Sequence, residues 1–308
     1  MKVVISELNW PVGIDLLKEK GFDVIYDPEL WKNREALEKE VEHADALIVR
    51  NQTQVDETLL RKGPQLKMVG RLGVGLDNID LDALATFNVE LTTAKNANAI
   101  SVAEYVLSAM FHVTRPLKEA SEDVKAGNWN RRRFTTGELY GKTLGMIGIG
   151  ETGQRVAARA KALGLNVIGY DPFVKPYDYP VMETGIDTME VEEVLKKSDF
   201  VSLHVPLTPQ TKNLLNKDRM KQMKPNSWII NSSRGGVVNE DDLCDILKDQ
   251  VIEGAFLDVI ENEPIHENHP LLDIDQCYIT PHIAGLTEEA QSRTSKMIAE
   301  AVIEKLDS

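Results

Sequence analysis

Short apolar runs alternate with amphipathic stretches along the first hundred residues. Lys2–Ser6 is followed by Pro11–Lys20, Phe22–Tyr26 by Asn33–His43, Ala46–Arg50 by Thr58–Lys62, and Lys67–Leu72 by Asp80–Phe87. Strands alternating with helical segments predict βαβ units and a parallel sheet, so this part reads as a small α/β domain. A longer helical pattern runs from Ala99 to Lys125, with Pro116 expected to kink it or end its first part. After it, Lys142–Gly148, Asn166–Tyr170, Phe200–Val205, Trp228–Asn231, Gly254–Val259 and Cys277–Ile279 read as about six strands with helices between them, which suits a doubly wound dinucleotide fold. The last segment, Thr287–Leu306, starts with a capping threonine and two glutamates and then repeats apolar residues at helical spacing. It is expected to return to the first domain. The fold class is therefore α/β, with two doubly wound parallel-sheet domains.

Length agrees with this division. The chain has 308 residues, and a single core stops growing at about 250–300. The reading places residues 1–98 plus 285–308 in a flavodoxin-like substrate domain and residues 99–284 in a Rossmann nucleotide domain. A net charge of −14 disfavours nucleic acid and anionic lipid as partners. Neither an early apolar leader nor a long apolar span is present in the sequence, so a cytoplasmic protein without membrane attachment is expected. Cys244 and Cys277 lack CxxC spacing and imply neither a disulfide framework nor a zinc site.

The strongest local motif is Gly148-Ile149-Gly150-Glu151-Thr152-Gly153, between a strand-like and a helical stretch. Gly148 permits a tight turn, Gly150 lets a pyrophosphate approach the backbone, and Gly153 allows close helix–strand packing at a positive helix N-terminus. Asp171 lies eighteen residues beyond Gly153, at a strand end, where a carboxylate can bind ribose hydroxyls. Its charge would repel a 2′-phosphate, which favours NAD over NADP, a preference that Lys175 would soften.

A whole α/β domain precedes this fingerprint, and several further motifs occur in order: GRLGVGLDNID (Gly70–Asp80), SVAEYVL (Ser101–Leu107), ELYGKTLGMIGIGETG (Glu138–Gly153), LHVPLTPQTKNLL (Leu203–Leu215), NSSRGGVVNE (Asn231–Glu240), LDVIENEP (Leu257–Pro264) and TPHIAG (Thr280–Gly285). Together they resemble the D-2-hydroxyacid dehydrogenase family over nearly the whole chain. The resemblance implies NAD-dependent hydride transfer at C2 of a small 2-hydroxy or 2-keto acid. Arg234 is similar to the family's substrate-binding arginine, whose planar guanidinium can engage a carboxylate and the adjacent carbonyl. His282 is similar to its general acid–base, suited by an imidazole that titrates near neutrality. Glu263 matches the carboxylate that orients that ring and favours its protonated form; Glu261 competes by proximity, but the motif favours Glu263. By the same resemblance, Gly148, Gly150, Glu151, Thr152, Gly153, Asp171, His204, Pro206, Thr211, Ser232, Asp258, His282 and Gly285 contact the cofactor, with Asp258 at the nicotinamide amide. On the substrate side it implies the amides near Val74 and Gly75 with Asn51, beside Arg234 and His282.

Arg50, Arg71 and Arg131–Arg133 add cations that lactate chemistry does not need. GNWNRRRF and GRLGVGLDNID resemble the 3-phosphoglycerate dehydrogenase branch, and ALIVRNQTQVD with GRLGVGLDNID resembles sulfolactate dehydrogenases. Both act on a 2-hydroxy acid with a second anionic group, and such a substrate is expected here. A solvated basic face is the competing account of the triple arginine, and a hydroxypyruvate or glyoxylate reductase is the alternative enzyme. Glu151-Thr152 stands where many relatives carry an arginine and an aliphatic residue, which removes a possible pyrophosphate cation. A serine-sensing regulatory domain is not expected beyond Ser308. The resemblance also implies a homodimer through the nucleotide domains and the Ala99–Lys125 region. His43, His112, His266 and His269 are expected to be structural, and the IHENHP stretch lacks the helical HExxH spacing of a metal site. An NAD-sensing corepressor would share the fold and the Arg, Glu and His set, but no long polar tails favour that role here.

Overall fold

The structure, a computed structural model, describes residues 1–307, with the side chains of Tyr179 and Pro180 outside that description. The chain divides into two compact units: Met1–Asn98 with Leu286–Ser308, and Ala99–Gly285.

In the first unit, β1 (Lys2–Ile5), α1 (Pro11–Glu19), β2 (Asp23–Tyr26), α2 (Arg34–Val41), β3 (Ala46–Val49), α3 (Glu57–Lys62), β4 (Met68–Arg71), α4 (Leu81–Thr86) and β5 (Glu90–Thr93) alternate along the chain. The five strands are parallel, in the order β2-β1-β3-β4-β5. That order reverses between β1 and β3, as in flavodoxin-like sheets. Because both faces are covered by helices, β3 and β4 are buried at every position. Asn33, Asp56 and Asp80 accept from the amides of Ala36, Leu59 and Ala83, and so define where α2, α3 and α4 begin. One face of the sheet packs Leu37, Leu47, Leu59 and Val69; the other packs Leu17, Ile48 and Met68 against Ile298 and Val302 of the C-terminal helix, Glu288–Asp307. That helix lies close on α1 because Gly13 has no side chain: a Cβ there would stand 2.4 Å from the Ser295 carbonyl oxygen. Thr287 caps the helix through the Ala290 amide at 3.2 Å.

The second unit opens with α5 (Ala99–Thr114) and α6 (Leu117–Lys125). Pro116 sits at the N-terminal cap of α6 and divides the two, as a residue without an amide proton that cannot continue a helix must. Then follow β6 (Thr143–Ile147), α7 (Glu151–Ala162), β7 (Asn166–Tyr170), α8 (Tyr179–Thr184), β8 (Asp187–Thr188), α9 (Val191–Lys197), β9 (Phe200–Leu203), α10 (Lys217–Met220), β10 (Trp228–Asn231), α11 (Glu240–Lys248), β11 (Gly254–Leu257) and β12 (Cys277–Ile279). Seven parallel strands form one sheet in the order β12-β11-β10-β9-β6-β7-β8. The order reverses beside β6, so the loops after β6 and β9 flank the switch point at which open α/β sheets bind nucleotides. The seventh strand, β8, has only two residues. It and β5 are edge strands that the apolar pattern does not mark.

Candidate active site

The loop after β6 is built as the fingerprint requires. Gly148 has φ +98°, and a Cβ there would come within 2.4 Å of the His204 carbonyl oxygen. A Cβ on Gly153 would stand 2.5 Å from the Gly148 carbonyl oxygen, so α7 starts directly against the strand end. Gly150, in contrast, faces open space. An exposed helix N-terminus with no side chain over it is a cradle for a diphosphate, so the residues present fit a dinucleotide. Glu151 pairs with Arg155 one turn along α7, which places a cation in the same turn as the acidic residue. Thr152 is partly buried beside it.

Asp171, after β7, reaches back to this loop. One carboxylate oxygen accepts the Ile149 amide at 2.8 Å and the other accepts the Phe173 amide at 2.9 Å. Each oxygen keeps acceptor capacity for a further donor. On the other side of β6 in the sheet, His204 follows β9, and its Nε2 lies 2.9 Å from the Ser202 hydroxyl. Burial pushes the His204 imidazole down to about 4, so it is neutral near pH 7. Thr211 folds its loop through its own hydroxyl, which donates to the Pro206 carbonyl at 2.6 Å and accepts the Thr208 amide at 2.7 Å.

Three neighbouring strand ends bring Arg234, Glu263 and His282 into one region. After β10, the Asn231 amide group donates to the Arg234 carbonyl at 2.9 Å, while its oxygen accepts from the Ser233 amide and hydroxyl at 3.1 and 2.8 Å. The Arg234 guanidinium donates to the Ser233 carbonyl at 2.7 Å. Gly235 allows this loop to touch the one after β11: a Cβ would lie 1.9 Å from the Ile260 carbonyl oxygen. The Ile260 amide in turn approaches Glu263 Oε1 at 3.4 Å. Glu263 Oε2 and His282 Nδ1 are 2.8 Å apart, leaving Nε2 of the exposed ring free to face a reactant. Among the described residues, the Ser232 hydroxyl oxygen is buried without a hydrogen-bond partner.

His282 has φ +54°, a left-handed backbone that histidine adopts more readily than most residues but at some cost. Asp258 holds it there. Its carboxylate accepts the Ile283 amide at 2.8 Å, the Ala284 amide at 2.7 Å and the Thr280 hydroxyl at 2.6 Å. The Tyr105 hydroxyl extends the chain to Thr280 at 2.7 Å. Burial pushes Asp258 above the ordinary carboxylate value, against the effect of these three donors, and pushes Tyr105 up to about 12. Gly285, the last residue of the unit, is partly buried.

In the first unit, Val74 is exposed and Gly75 buried in the loop after β4, and Asn51 is exposed after β3. Arg71 is buried: its guanidinium donates to the Leu72 carbonyl at 3.2 Å and lies over Gly73, where a Cβ would stand 1.8 Å from Nη1. Arg50 is partly buried. Sequence reasoning missed Glu7 and Asn78, which hold the Arg50–Thr53 loop, and Asp123, which holds the arginine-rich loop of the second unit. Asp123 is buried; it accepts from the Asn130 side chain at 3.0 Å, and Arg133 lies 3.7 Å away while packing over Phe134. Arg131 and Arg132 remain exposed. The remaining histidines have local partners or solvent: His269 binds Glu240 at 3.1 Å, His266 accepts the Asn268 amide, His112 packs on Tyr278, and His43 is exposed. Among the described residues, no group of three or more His, Cys, Asp or Glu is arranged to hold a metal, and no helix is long and apolar enough to cross a membrane.

A switch-point glycine loop, a carboxylate after the next strand and an Arg, Glu and His set on neighbouring strand ends define a Rossmann-type nucleotide domain with a reactive face. Residues 107–284 match the family described as "D-isomer specific 2-hydroxyacid dehydrogenase, NAD binding domain". The chain is 40% identical over 303 residues to a D-3-phosphoglycerate dehydrogenase of Methanocaldococcus jannaschii, covering 98% of this chain and 57% of that protein. It is 41% identical over 293 residues to an (S)-sulfolactate dehydrogenase of Chromohalobacter salexigens, covering 95% of this chain and 94% of that one. A solved structure of a D-lactate dehydrogenase from Aquifex aeolicus, complexed with NAD and lactic acid, superposes with a TM-score of 0.86 at 30% identity, covering 100% of this chain and 96% of that one. The chain belongs to the D-isomer-specific 2-hydroxyacid dehydrogenase family, and its second unit is that family's NAD-binding domain. It spans about half the length of several phosphoglycerate dehydrogenases that it matches.

Proposed function

We propose that the protein is an NAD-dependent 2-hydroxyacid dehydrogenase whose substrate carries a second anionic group. The observation that carries the reading is the 2.8 Å pairing of His282 Nδ1 with Glu263. It fixes one ring nitrogen and leaves Nε2 as the proton-transfer atom, in a loop whose backbone is already held by Asp258. NAD, when bound, supplies or accepts the hydride. In reduction, Arg234 holds the keto acid by its carboxylate and polarises the carbonyl, while His282 delivers a proton to the alkoxide. Glu263 orients the ring through Nδ1. Gly148, Gly150, Glu151, Thr152 and Gly153 hold the diphosphate, with Pro206 and Thr211; Asp171 binds the adenosine ribose. His204, Ser232, Asp258 and Gly285 complete the cofactor contacts.

On the substrate side, the amides near Val74 and Gly75 with Asn51 serve the carboxylate, and Arg50 and Arg71 serve the second anion. A phosphonate, phosphate or sulfonate oxygen set matches guanidinium donors, and local cations offset the repulsion from a chain of charge −14. The sulfolactate dehydrogenase relative, of nearly the same length, supports this choice. For assembly we favour a homodimer through the second unit, where Leu117 and Trp129 are 71% and 77% exposed near α6. The test is steady-state NADH oxidation with phosphohydroxypyruvate, sulfopyruvate, hydroxypyruvate, glyoxylate and pyruvate. The dianionic acids should exceed pyruvate in kcat/KM by at least ~10²-fold, about 2.7 kcal/mol of transition-state binding. Equal turnover of pyruvate or glyoxylate would leave the substrate-side arginines without this role.

A further inference from the structure

Glu7 follows β1, is 3% exposed, and belongs to no motif. Its carboxylate accepts four consecutive backbone amides from the loop after β3. Oε1 takes those of Arg50 and Thr53 at 2.8 and 2.9 Å; Oε2 takes those of Asn51 and Gln52 at 3.1 and 3.0 Å. Successive amides that converge on one point form an anion-binding nest, and here the chain's own carboxylate fills it. The carbonyl side of the loop is held as firmly. Asn78 donates to the Thr53 carbonyl at 2.7 Å and to the Arg50 carbonyl at 3.4 Å, and the Ser6 and Thr53 hydroxyls lie 2.8 Å apart.

Two consequences follow for the loop. Its amides are occupied, so a bound anion must be met by side chains. Its backbone is fixed from both sides, which fixes where the side chains of Arg50 and Asn51 start. Burial lowers the affinity of the Arg50 guanidinium for its proton, and the nearby Glu7 charge opposes that effect. Among the described residues the Arg50 side chain has no hydrogen-bond or ion-pair partner of its own, so it is a desolvated cation kept charged beside a carboxylate whose lone pairs are already taken.

We propose that Glu7 is a positioning residue for the substrate's second anion: by filling the amide nest it presents Arg50 and Asn51 and assigns anion binding to the Arg50 side chain. This rests on the substrate-side reading given above. Glu7→Gln keeps the size of the side chain but turns a donor toward two of the four amides, and Glu7→Ala empties the nest. In both, KM for phosphohydroxypyruvate should rise about tenfold more than KM for pyruvate, the equivalent of about 1.4 kcal/mol, with kcat changed less than KM. Because Glu7→Ala leaves a vacant nest, millimolar acetate should raise its melting temperature and partly restore KM, and do neither to the unmodified protein. The acetate effect on melting reads the nest without any turnover, so it separates this inference from the proposed activity. Equal rises in KM for the two acids, or no acetate effect on Glu7→Ala, would overturn the inference; if Glu7→Ala does not fold, the KM ratio in Glu7→Gln decides.

Discussion

The carboxylate of Asp171 and the amide of Ile149, 22 residues apart in sequence, are joined by a 2.8 Å hydrogen bond. The bond ties the end of β7 to the glycine loop after β6 and sets the carboxylate where an adenosine ribose would lie. A negative group held there by two amides cannot turn away from a 2′-phosphate. NAD should therefore be preferred to NADP by a wide margin in kcat/KM, and Asp171→Ala should narrow the margin while loosening the loop. Equal kcat/KM for both cofactors in the unmodified protein would contradict this.

The His282–Glu263 pair predicts a separation of effects. His282→Ala removes the proposed proton-transfer atom and should lower kcat by about 10²–10⁴-fold, the usual range for a lost general acid. Glu263→Gln keeps a hydrogen bond to Nδ1, so the ring stays oriented and the loss of kcat should be smaller than in His282→Ala. Near-normal turnover of His282→Ala at every pH would refute the assignment.

Gly235 is the contact between the Arg234 and Glu263 loops, and its missing side chain is what permits the contact. Gly235→Ala places a Cβ 1.9 Å from the Ile260 carbonyl oxygen, where both neighbours are backbone and cannot rotate aside. The loops must separate. Overpacking of this kind costs typically 1–3 kcal/mol, so thermal unfolding should report a drop of that size, and kcat should fall with it because Glu263 follows Ile260. A melting temperature and kcat equal to those of the unmodified protein would show that the loops do not meet.

His204 predicts a stability change with pH. Its folded value, lowered to about 4 from the ordinary 6.5, means that the unfolded chain binds a proton between those values and the native chain does not. Stability from this group is present above pH 6.5, falls as pH drops from 6.5 toward 4, and changes no further below. Melting temperature measured between pH 7 and 4.5 should therefore decline less steeply in His204→Gln than in the unmodified protein. Equal slopes would contradict the burial of a neutral ring.

The sequence made the buried strands legible because parallel strands covered on both faces are continuous apolar runs. Trp228–Asn231 and Cys277–Ile279 begin and end as their apolar runs do. The edge strands β5 and β8 were not legible: Glu90–Thr93 is polar at most positions and Asp187–Thr188 has two residues, so neither gives a periodic signal. Motifs led to Asp171, Arg234, Glu263 and His282, whose spacing in sequence mirrors strand ends. No local pattern marks Glu7 or Asp123, and Asn78, although inside GRLGVGLDNID, carries no sign there of the loop it holds. Their partners are backbone groups or loop side chains chosen by the fold, 43 residues away in the case of Glu7 and Arg50, and a solitary carboxylate in a sequence looks the same whether it faces water or four amides. The arginines also sorted only in three dimensions: Arg71 is buried and lies over Gly73, Arg133 joins Asp123, and Arg131 and Arg132 are exposed.

Isotope transfer reports directly whether hydride moves from the nicotinamide to the substrate. The protein is incubated with phosphohydroxypyruvate or sulfopyruvate and NADH carrying deuterium at both C4 positions of the nicotinamide, and the product is read by mass spectrometry and NMR. The product should be a 2-hydroxy acid with deuterium at C2, formed with equimolar NAD, and it should be lost in His282→Ala. Binding of NADH with no 2-hydroxy acid deuterated at C2 formed from any keto acid in the panel would contradict hydride transfer and leave a nucleotide-binding protein.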